Sequence, residues 1–572
     1  MNILLAAVNA KYIHSNLAVY SLKAYAEAYT SCQVGLAEYT INQPLDQILM
    51  DLYKRKPDVL GFSCYLWNIS YVEQLVCELH KVLPKTEIWL GGPEVSWNAE
   101  QVLERLPQVR GVMRGEGEET FLELIRYYEE GKKELQEIAG LTYRGGEKIV
   151  SCPERPVMKS LDPIPFVYDH IENFEHKIIY YESSRGCPFS CSYCLSSIDK
   201  CLRFRSLELV KKELQFFIDH KVPQVKFVDR TFNCKHDHAL AIWKYLVEHD
   251  QGETNFHFEI AADLLRKEEI DLIKTMCPGL IQLEIGVQST NQETIREIRR
   301  AMKFGEVSKI VDEIHENRNI HQHLDLIAGL PFEDYHSFHR SFNEVYALKP
   351  EQLQLGFLKV LKGSHMEEMA SEYELVYQER PPFEVLSTKW LSYAEVIALK
   401  GVEEMVEVHY NSRQFEQTME LLEQEFGDPF SMFEALRDYY EEHHLMQVNH
   451  TRIHRYEILF TWIQELLEKR GEMDRLPAYR ESLTYDLYLR ENVKNRPAFA
   501  GEPTVEKNVA TAFYEKEEQQ RSYLHGYEKF DKRQMRKMTH LEIVRGKLLL
   551  FDYQNRNPLT HQAMVHEINF SC

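Results

Sequence analysis

The sequence lacks several features that would place it in other protein classes. It has no run of about 18 apolar residues, so nothing in it predicts a membrane span. Its first residues are too few and too poor in basic side chains for a signal peptide, and we expect none. It has no long run of Lys or Arg, and its net charge is −22. We therefore expect no main role in gripping nucleic acid, although a local basic groove stays open.

Paired cysteine spacings are absent as well, with one exception. Eleven cysteines are scattered over 572 residues, a usage typical of reduced thiols rather than of a disulfide framework. We therefore expect a cytoplasmic protein. The length predicts three or four domains.

The exception is the stretch Cys187-Pro188-Phe189-Ser190-Cys191-Ser192-Tyr193-Cys194, which has the spacing C-x-x-x-C-x-x-C. It follows an apolar run at 177–181 that is typical of a buried strand. Three thiolates on one short loop can hold three irons of a [4Fe–4S] cluster and leave the fourth iron open. The alternatives are three structural cysteines or a zinc site. Zinc sites usually need four ligands in paired blocks, and only Cys201 stands nearby.

This spacing resembles the signature loop of the radical SAM enzymes. The resemblance implies a [4Fe–4S] cluster held by Cys187, Cys191 and Cys194, with S-adenosylmethionine (SAM) on the open iron. It also implies that Tyr193 lies beside the adenine of SAM. An electron from the cluster would then cleave SAM to methionine and a 5′-deoxyadenosyl radical.

Before this loop, apolar runs alternate with helical patterns. Strands are predicted at 2–8, 34–41, 59–63, 88–90 and 111–114, and helices at 17–29, 45–54, 72–83, 99–106 and 118–129. This alternation predicts a Rossmann-like, doubly wound parallel sheet over residues 1–140. Ligands of such sheets lie outside the carboxyl ends of the strands.

The residues that follow these strands are unusual. A sheet of this kind before a radical SAM core resembles the cobalamin-binding domain of B12-dependent radical SAM proteins. The resemblance implies cobalamin contacts from Asn9, Lys11, Tyr12, His14, Ser63, Tyr65, Leu66, Trp67, Asn68, Gly91, Gly92, Pro93, Glu94, Gly115, Glu116 and Gly117. Glycines among them would let the backbone approach a flat corrin.

Other interpretations of this sheet stay open. The glycines could serve turns only, in a domain that binds nothing. An NAD site is disfavoured because no G-x-G-x-x-G follows the first strand. The D-x-H-x-x-G loop that supplies a cobalt ligand in other B12 enzymes is also missing. His14 lies in the corresponding loop, but we expect cobalamin without a protein histidine on cobalt.

Residues 141–176 are predicted to form a hairpin, with its turn at Gly145-Gly146, and a proline-rich linker. A second alternation fills 177–363. Strands are predicted at 178–182, 225–229, 256–260, 281–285, 323–327 and 352–359, and helices at 207–220, 240–249, 268–276, 293–301 and 337–347. These six units resemble the partial (β/α)6 TIM-type barrel of radical SAM cores.

The barrel strands end in residues that match family motifs. Asp229 begins D-R-T-F-N, Gln288 and Ser289 end G-V-Q-S, and Gly329 lies in D-x-I-x-G-L-P. The resemblance implies that these residues bind SAM together with Tyr193, Glu259 and Glu284. The alternative for the two glutamates is a salt bridge inside the barrel. Buried acids are costly without partners, and Arg185 or Arg230 could supply the charge.

The last region, 364–572, is predicted to be mostly helical, with helices at 394–408, 414–426, 433–444 and 456–469. Two strands at 540–545 and 547–553 and a turn at 555–557 follow. The region resembles the uncharacterised extension of some B12-binding radical SAM proteins. We expect it, from about Met366 on, to close the barrel mouth. An independent helical module for partner binding is the alternative.

The resemblance as a whole implies a cobalamin-dependent radical SAM enzyme that methylates an unactivated carbon. It would take electrons from a flavodoxin- or ferredoxin-type donor and act on a substrate that the sequence does not identify. The alternatives are a B12-dependent radical rearrangement without methyl transfer, a methylthiotransferase-like RNA modification, and a non-catalytic cobalamin-binding protein. Cofactors would carry the chemistry, so no catalytic acid–base pair is expected.

Overall fold

The computed structural model describes residues 1–131, 133–446 and 448–569. The chain divides into two units. The first consists of Met1–Ser337 and Gly356–Tyr393, and the second of Phe338–Leu355 and the chain from Ala394 on. The domain boundaries predicted at 140, 176 and 363 stay predictions.

The N-terminal part of the first unit is a seven-stranded sheet flanked by helices. Its strands are β1 (Ile3–Asn9), β2 (Val34–Thr40), β3 (Val59–Ser63), β4 (Glu87–Gly91), β5 (Val109–Met113), β6 (Leu141–Gly145) and β7 (Lys148–Ser151). Its main helices are Leu17–Tyr29, Leu45–Arg55, Ile69–Val82, Ala99–Arg105 and Glu118–Glu130. The strand order is β2-β1-β3-β4-β5-β6-β7, and β1 to β5 are parallel. The predicted parallel sheet is confirmed.

The hairpin that follows belongs to this same sheet. β6 pairs antiparallel with β5, and β7 pairs antiparallel with β6, so the hairpin extends the sheet rather than standing apart from it. The sequence predicted the hairpin and its turn but not this pairing. Its exposed outer strand gave no signal of which edge it would join.

The first strand shows why this sheet is buried on both faces. Leu4, Ala6 and Val8 lie in the core on one face, and Ile3, Leu5 and Ala7 lie in the core on the other. Continuous apolar strands of this kind are typical of parallel sheets that helices cover on both sides.

A second set of strands follows. They are β8 (Ile179–Tyr181), β9 (Gln224–Phe227), β10 (Asn255–Ile260), β11 (Ile281–Gln288), β12 (His321–Ala328) and β13 (Gln352–Phe357). In the first unit their order is β12-β11-β10-β9-β8. The helices between them are Leu207–Asp219, His236–His249, Lys267–Thr275, Gln292–Glu297, Phe304–His315 and Tyr335–Tyr346. The predicted alternation is confirmed, and Phe304–His315 is a helix that the sequence analysis missed.

The chain after β13 stays with the first unit as far as Tyr393. Within it, Val376–Tyr377 pairs antiparallel with Val385–Ser387. Met366 donates its backbone N–H to the carbonyl oxygen of Ser192, in the cysteine loop, over 2.9 Å. The first residues of the predicted C-terminal region therefore contact the cysteine loop directly.

The rest of the second unit is mainly helical, as predicted. Its longer helices are Tyr393–Val406, Glu416–Glu423, Pro429–Glu442, Arg452–Arg470, Leu476–Arg490, Lys507–Gln520 and Lys532–Met538, the last three of which were not predicted. An antiparallel sheet of β14 (Thr539–Val544), β15 (Lys547–Arg556) and β16 (Ala563–Glu567) ends the unit. The turn predicted at 555–557 is wrong, because β15 continues to Arg556. Among the described helices, none has both the length and the apolar character needed to cross a membrane.

Candidate functional site

The three predicted cluster cysteines lie on one loop after β8. Cys187 and Cys191 are buried, Cys194 is half-buried, and all three are free thiols. Cys194 donates its backbone N–H to the carbonyl oxygen of Cys191 over 3.2 Å, which turns the loop back on itself. Gly186, with φ of +90°, begins the loop where a Cβ would lie 2.4 Å from the Cys201 carbonyl oxygen. The three thiols fit the ligand set of a cluster with one open iron.

Arg300 lies against this loop. Its Nη1 is 3.1 Å from the Tyr193 hydroxyl and 3.8 Å from Cys191 Sγ, and its Nη2 donates to the Gly286 carbonyl oxygen. Burial raises the pKa of Cys191, and the guanidinium of Arg300 opposes that rise. A buried cation beside thiolates suits an anionic cluster. Nothing in the sequence distinguished Arg300 from other arginines, so sequence reasoning missed it.

Asp229 holds the backbone that leads into the cysteine loop. One carboxylate oxygen accepts from the N–H groups of Ser183 and Ser184, both at 2.8 Å, and the other accepts from the Ser183 hydroxyl at 2.5 Å. Burial raises the pKa of Asp229 to about 7, against the effect of these donors. Both oxygens are already used in this way. Asp229 is thus placed to position the loop, and its contact with SAM stays a prediction.

The motif residues at the ends of β11 and β12 differ in the hydrogen-bonding groups and the space that they leave for a ligand. Gln288 has φ of +73°, and its Oε1 is buried without a hydrogen-bond partner in the part of the chain that the structure describes. Ser289 is buried and donates to Glu333 Oε1 over 2.7 Å. At Gly329, a Cβ would lie 2.8 Å from Cγ1 of Val385. Gln288 therefore presents a free acceptor, whereas Ser289 is engaged and Gly329 faces a side chain rather than open space.

Glu259 and Glu284 are register partners on β10 and β11. Glu284 Oε2 lies 3.0 Å from Lys226 Nζ and 2.9 Å from His257 Nε2. Although burial acts to raise it, His257 and Lys226 lower the pKa of Glu284 to about 2. Burial, reinforced by Glu284, raises the pKa of Glu259 to about 7. The salt-bridge alternative thus describes Glu284, with Lys226 and His257 as partners that sequence reasoning missed.

Arg185 is not the partner of these two glutamates, contrary to the sequence interpretation. It forms ion pairs with Glu118 at 2.5 Å, Glu182 at 2.8 Å and Glu116 at 3.4 Å. Arg203 forms a second ion pair with Glu116. Arg185 lies beyond the end of β8, where it faces the loop after β5 rather than the inside of the barrel. The cysteine loop and a predicted cobalamin loop are therefore joined by buried charges.

The loop after β1 contacts the start of the barrel. Ile178 donates its backbone N–H to the Ile13 carbonyl oxygen over 2.7 Å. His14 Nδ1 lies 2.7 Å from the Tyr180 hydroxyl, and burial, with Lys11, lowers the pKa of His14. Asn9 donates from Nδ2 to the His14 carbonyl oxygen over 3.0 Å. His14 is thus a neutral, hydrogen-bonded loop residue, and its cobalamin contact and the expected absence of a cobalt bond stay predictions.

The loop after β3 presents an aromatic surface. Tyr65 and Trp67 stack with ring centroids 4.5 Å apart, and Trp67 is 47% exposed. Asn68 is fully buried and fixes the loop by donating to the carbonyl oxygens of Val8 and Ser63, both at 2.9 Å. The stacked pair is thus held rigidly at the carboxyl edge of the sheet.

The glycines of the loops after β4 and β5 differ in the space that they leave. Gly92 has φ of +113°, and a Cβ there would lie 2.4 Å from the Cys64 carbonyl oxygen. Gly115 has φ of +73°, with nothing within 4 Å of a Cβ. Glu94 is buried, its Oε2 has no hydrogen-bond partner among the described residues, and burial raises its pKa.

The other predicted cobalamin residues lie in these same loops and are Lys11, Tyr12, Leu66, Gly91, Pro93, Glu116 and Gly117. Together the loops offer an aromatic platform, an unused buried carboxyl group and open backbone at Gly115. These features fit a large flat ligand such as a corrin.

Comparison with known protein families gives three matches along the chain. The model described as "B12 binding domain" matches residues 3–125, and "Radical SAM superfamily" matches residues 181–345. "Protein of unknown function (DUF4080)" matches residues 371–565. The chain thus carries a B12 binding domain, a radical SAM domain and a C-terminal extension, the combination that the sequence resemblance predicted.

Curated relatives cover part of the chain. An uncharacterized methyltransferase of Pyrococcus horikoshii is 28% identical over 292 residues, which are 47% of this chain and 62% of the relative. TokK of Streptomyces tokunonensis, a cobalamin-dependent radical SAM methyltransferase, is 26% identical over 352 residues, which are 57% of this chain and 51% of TokK. The chain therefore spans less than two thirds of the length of either relative.

Among solved structures, the fold is similar to that of OxsB. That structure is described as a cobalamin-dependent S-adenosylmethionine radical enzyme with aqua-cobalamin and S-adenosylmethionine bound. The similarity covers 85% of this chain and 83% of OxsB, with a TM-score of 0.59 and 14% sequence identity. At that identity the similarity shows the fold alone.

Proposed function

We propose that this chain is a cobalamin-dependent radical SAM enzyme that cleaves SAM reductively at a [4Fe–4S] cluster and methylates an unactivated carbon. The observation that carries the proposal is the position of three free cysteines on one loop after β8, joined through Arg185 to the loop after β5. The two domain matches and the names of the relatives support it.

Cys187, Cys191 and Cys194 would hold the cluster, and Arg300 would compensate part of its negative charge. Cluster, SAM and cobalamin, when bound, together supply one-electron reduction, a carbon radical and a transferable methyl group. The role of the chain itself is to position these groups. Asp229 fixes the backbone of Ser183 and Ser184, and through it the entry to the loop.

For SAM, the proposal keeps Tyr193 and Gln288 as contact residues, since Tyr193 lies on the cysteine loop and Gln288 has a free acceptor. Glu259 is the register partner of Glu284 and lies at the same depth. Tyr193 already lies beside Arg300. Asp229, Ser289 and Gly329 would shape the site through the contacts described above. Glu284 precedes Gln288 by four residues, about 13 Å along a strand, and its position favours a role deeper in the barrel.

For cobalamin, the proposal assigns the four loops at the carboxyl edge of β1, β3, β4 and β5. Tyr65 and Trp67 would pack on the corrin, and the open backbone at Gly115 would admit it, whereas Gly92 packs on the backbone of Cys64. We expect His14 to stay off the cobalt because the D-x-H-x-x-G loop is missing, and its Nδ1 contact with Tyr180 leaves Nε2 as the atom to test.

Among the rival functions, methylthiotransfer would need a second cysteine triad in the N-terminal domain. Cys32 belongs to the core on one face of the sheet, whereas Cys64 and Cys77 belong to the core on the other face. This division disfavours a shared cluster there. Rearrangement without methyl transfer keeps the same site and is the second candidate.

One experiment separates methyl transfer from rearrangement. The anaerobically reconstituted protein is supplied with cobalamin, a one-electron donor of the flavodoxin or ferredoxin type and SAM labelled in its methyl group, together with an extract of small molecules and macromolecules. Methyl transfer predicts a labelled product whose mass rises by one methylene. Formation of 5′-deoxyadenosine together with an altered but unlabelled product would favour rearrangement. The protein's location in the cytoplasm and its use of an electron donor of this type remain part of the proposal.

A further inference from the structure

The strands of the barrel bring together a cluster of ionisable side chains at mid-depth. Lys226 lies on β9, His257 and Glu259 on β10, Glu284 on β11, and His323 and Asp325 on β12. Within this cluster, one ligand atom from each of Glu284, His323 and Asp325 lies within 4.8 Å of the other two. Strand register accounts for the grouping, since Glu284 pairs with His323 and Gly286 pairs with Asp325.

The charge of the cluster is unbalanced. Glu259, Glu284 and Asp325 carry three negative charges when ionised, and Lys226 carries one positive charge. The three carboxyl groups thus outnumber Lys226, and Arg230 acts on Glu259 from outside the cluster. A buried excess of negative charge is costly unless a cation compensates it.

Several atoms of the cluster lack the partners that buried polar atoms normally have. His323 Nε2 lies 3.0 Å from Asp325 Oδ1, and His257 Nε2 lies 2.9 Å from Glu284 Oε2. Both contacts are within ion-pair distance, and each is an ion pair only when the imidazole is protonated. Both nitrogens and Asp325 Oδ1 are buried without a hydrogen-bond partner within residues 1–131, 133–446 and 448–569. His257 and His323 are each only 6% exposed.

We propose that Glu284, His323 and Asp325 bind a divalent metal ion of the Zn²⁺, Mn²⁺ or Fe²⁺ class. One imidazole nitrogen and two carboxylate oxygens are a ligand set that such ions accept. Ligands about 2.1 Å from an ion lie roughly 3 to 3.4 Å apart, so the side chains need to close by about 1 Å. A divalent ion would also compensate carboxylate charge that Lys226 alone does not balance.

The neighbours of this triad suit the same site. Lys226 Nζ, 3.0 Å from Glu284 Oε2, can orient that carboxylate from outside the coordination sphere. Glu259 has no hydrogen bond or ion pair among the described residues and is the nearest candidate for a further oxygen ligand. Three protein ligands leave positions open, which a carboxylate, hydroxyl or phosphate oxygen of a small molecule could occupy. The site is distinct from the cysteine loop and does not depend on methyl transfer.

The test is metal binding by the full-length protein with its cluster reconstituted. Mn²⁺ and Zn²⁺ are titrated separately, and bound metal is counted by mass spectrometry beside cluster iron. We expect about one equivalent in the wild type, and at least tenfold weaker binding in His323→Gln and Asp325→Asn. His236→Gln is the matched control, because His236 forms an imidazole–carboxylate pair with Glu269 outside the cluster, at 3.1 Å. It should bind metal as the wild type does.

A second measurement covers the case in which the variants fail to fold. With the cluster oxidised and cobalamin in its aqua form, bound Mn²⁺ is the paramagnetic centre, and pulsed electron spin resonance on the wild type should detect coupling to one imidazole nitrogen. A wild type that binds no metal beyond cluster iron would overturn the site. So would bound Mn²⁺ without nitrogen coupling, or equal binding by folded His323→Gln and Asp325→Asn.

Discussion

Arg185 donates from Nη2 to Glu118 Oε1 over 2.5 Å, in a contact between the radical SAM domain and the B12 binding domain. Arg185 stands two residues before Cys187, and Glu118 begins the helix Glu118–Glu130 that follows β5. Glu118 is only 4% exposed. A carboxylate in a first helical turn is favoured by the helix dipole, and here it also orients the guanidinium. This ion pair thus fixes the position of the cysteine loop relative to the edge of the sheet that we assign to cobalamin.

This contact predicts the behaviour of Arg185→Gln. The substitution removes the buried positive charge that compensates the carboxylates of Glu116 and Glu118. It should lower the free energy of unfolding by about 3 to 5 kcal/mol. We expect a lower thermal midpoint and a loss of product formed per SAM cleaved, with cluster iron unchanged. Arg185→Lys should recover part of both losses because it keeps the charge. Wild-type stability and coupling in Arg185→Gln would contradict the role of this ion pair.

The cluster predicts a second set of results. Reconstituted anaerobically, the protein should hold about four irons and four sulfides. Cys187→Ala, Cys191→Ala and Cys194→Ala should each abolish SAM cleavage, because each removes one of three iron ligands. Cys201→Ala is the control, since Cys201 is exposed and contacts Gly186 through its backbone. Full cleavage by any of the three loop variants would refute the cluster assignment.

His14 allows a direct test of cobalt coordination. The protein should take up a corrinoid with its visible spectrum, and its cob(II)alamin form should show no nitrogen splitting from a protein histidine. The reason is that the sequence lacks the D-x-H-x-x-G loop, whereas His14 is held in its loop by Tyr180 at Nδ1 and would have only Nε2 for cobalt. A splitting that His14→Ala removes would instead make His14 the axial ligand.

The sequence predicted the elements of both sheets because they depend on local patterns. β3 and the helix Leu17–Tyr29 match their predicted bounds, since apolar period and flanking residues decide them. The predicted turn at 555–557 failed because β15 ends in polar, exposed residues that resemble a turn in composition.

The sequence did not predict which charged residues pair with each other. The sequence allowed Arg185 or Arg230 to supply charge for the barrel acids. Arg185 instead pairs with Glu118, whereas Arg230 opposes the rise in the pKa of Glu259. Glu284 contacts Lys226 and His257. Asp325 was read as part of a motif, and only the strand register brings it beside His323 and Glu284. Such groupings depend on how strands align, which no local pattern encodes.

Glu542 in the second unit predicts a pH-dependent stability. Burial opposes its ionisation, yet His540, Arg496 and Thr504 lower its pKa to about 2. A folded pKa below the unfolded value stabilises the protein above about pH 5, and that stability is lost as pH falls towards 2. Glu542→Gln should therefore cost about 2 to 3 kcal/mol at pH 7 and less than about 1 kcal/mol near pH 2.5, measured as shifts in thermal midpoint.

Glu567→Gln is the control for Glu542. Glu567 pairs with Lys547 at 2.7 Å in the same sheet, but both side chains are at least half exposed, so its removal should cost less than about 1 kcal/mol. A Glu542→Gln shift that is equal at pH 7 and pH 2.5 would mean that the carboxylate charge is not what stabilises this unit.

Trp390 tests whether the chain after the barrel shields the site. Its ring lies 4.7 Å from that of Phe332, next to the G-L-P motif, and 5.8 Å from that of Tyr373. If this segment excludes water from the radical site, Trp390→Ala should keep cluster iron and SAM cleavage but form less product per SAM cleaved. Trp390→Phe preserves an aromatic contact and should stay close to the wild type. An unchanged ratio of product to cleaved SAM in Trp390→Ala would show that this contact does not shield the reaction, and would favour a C-terminal region that acts as an independent module.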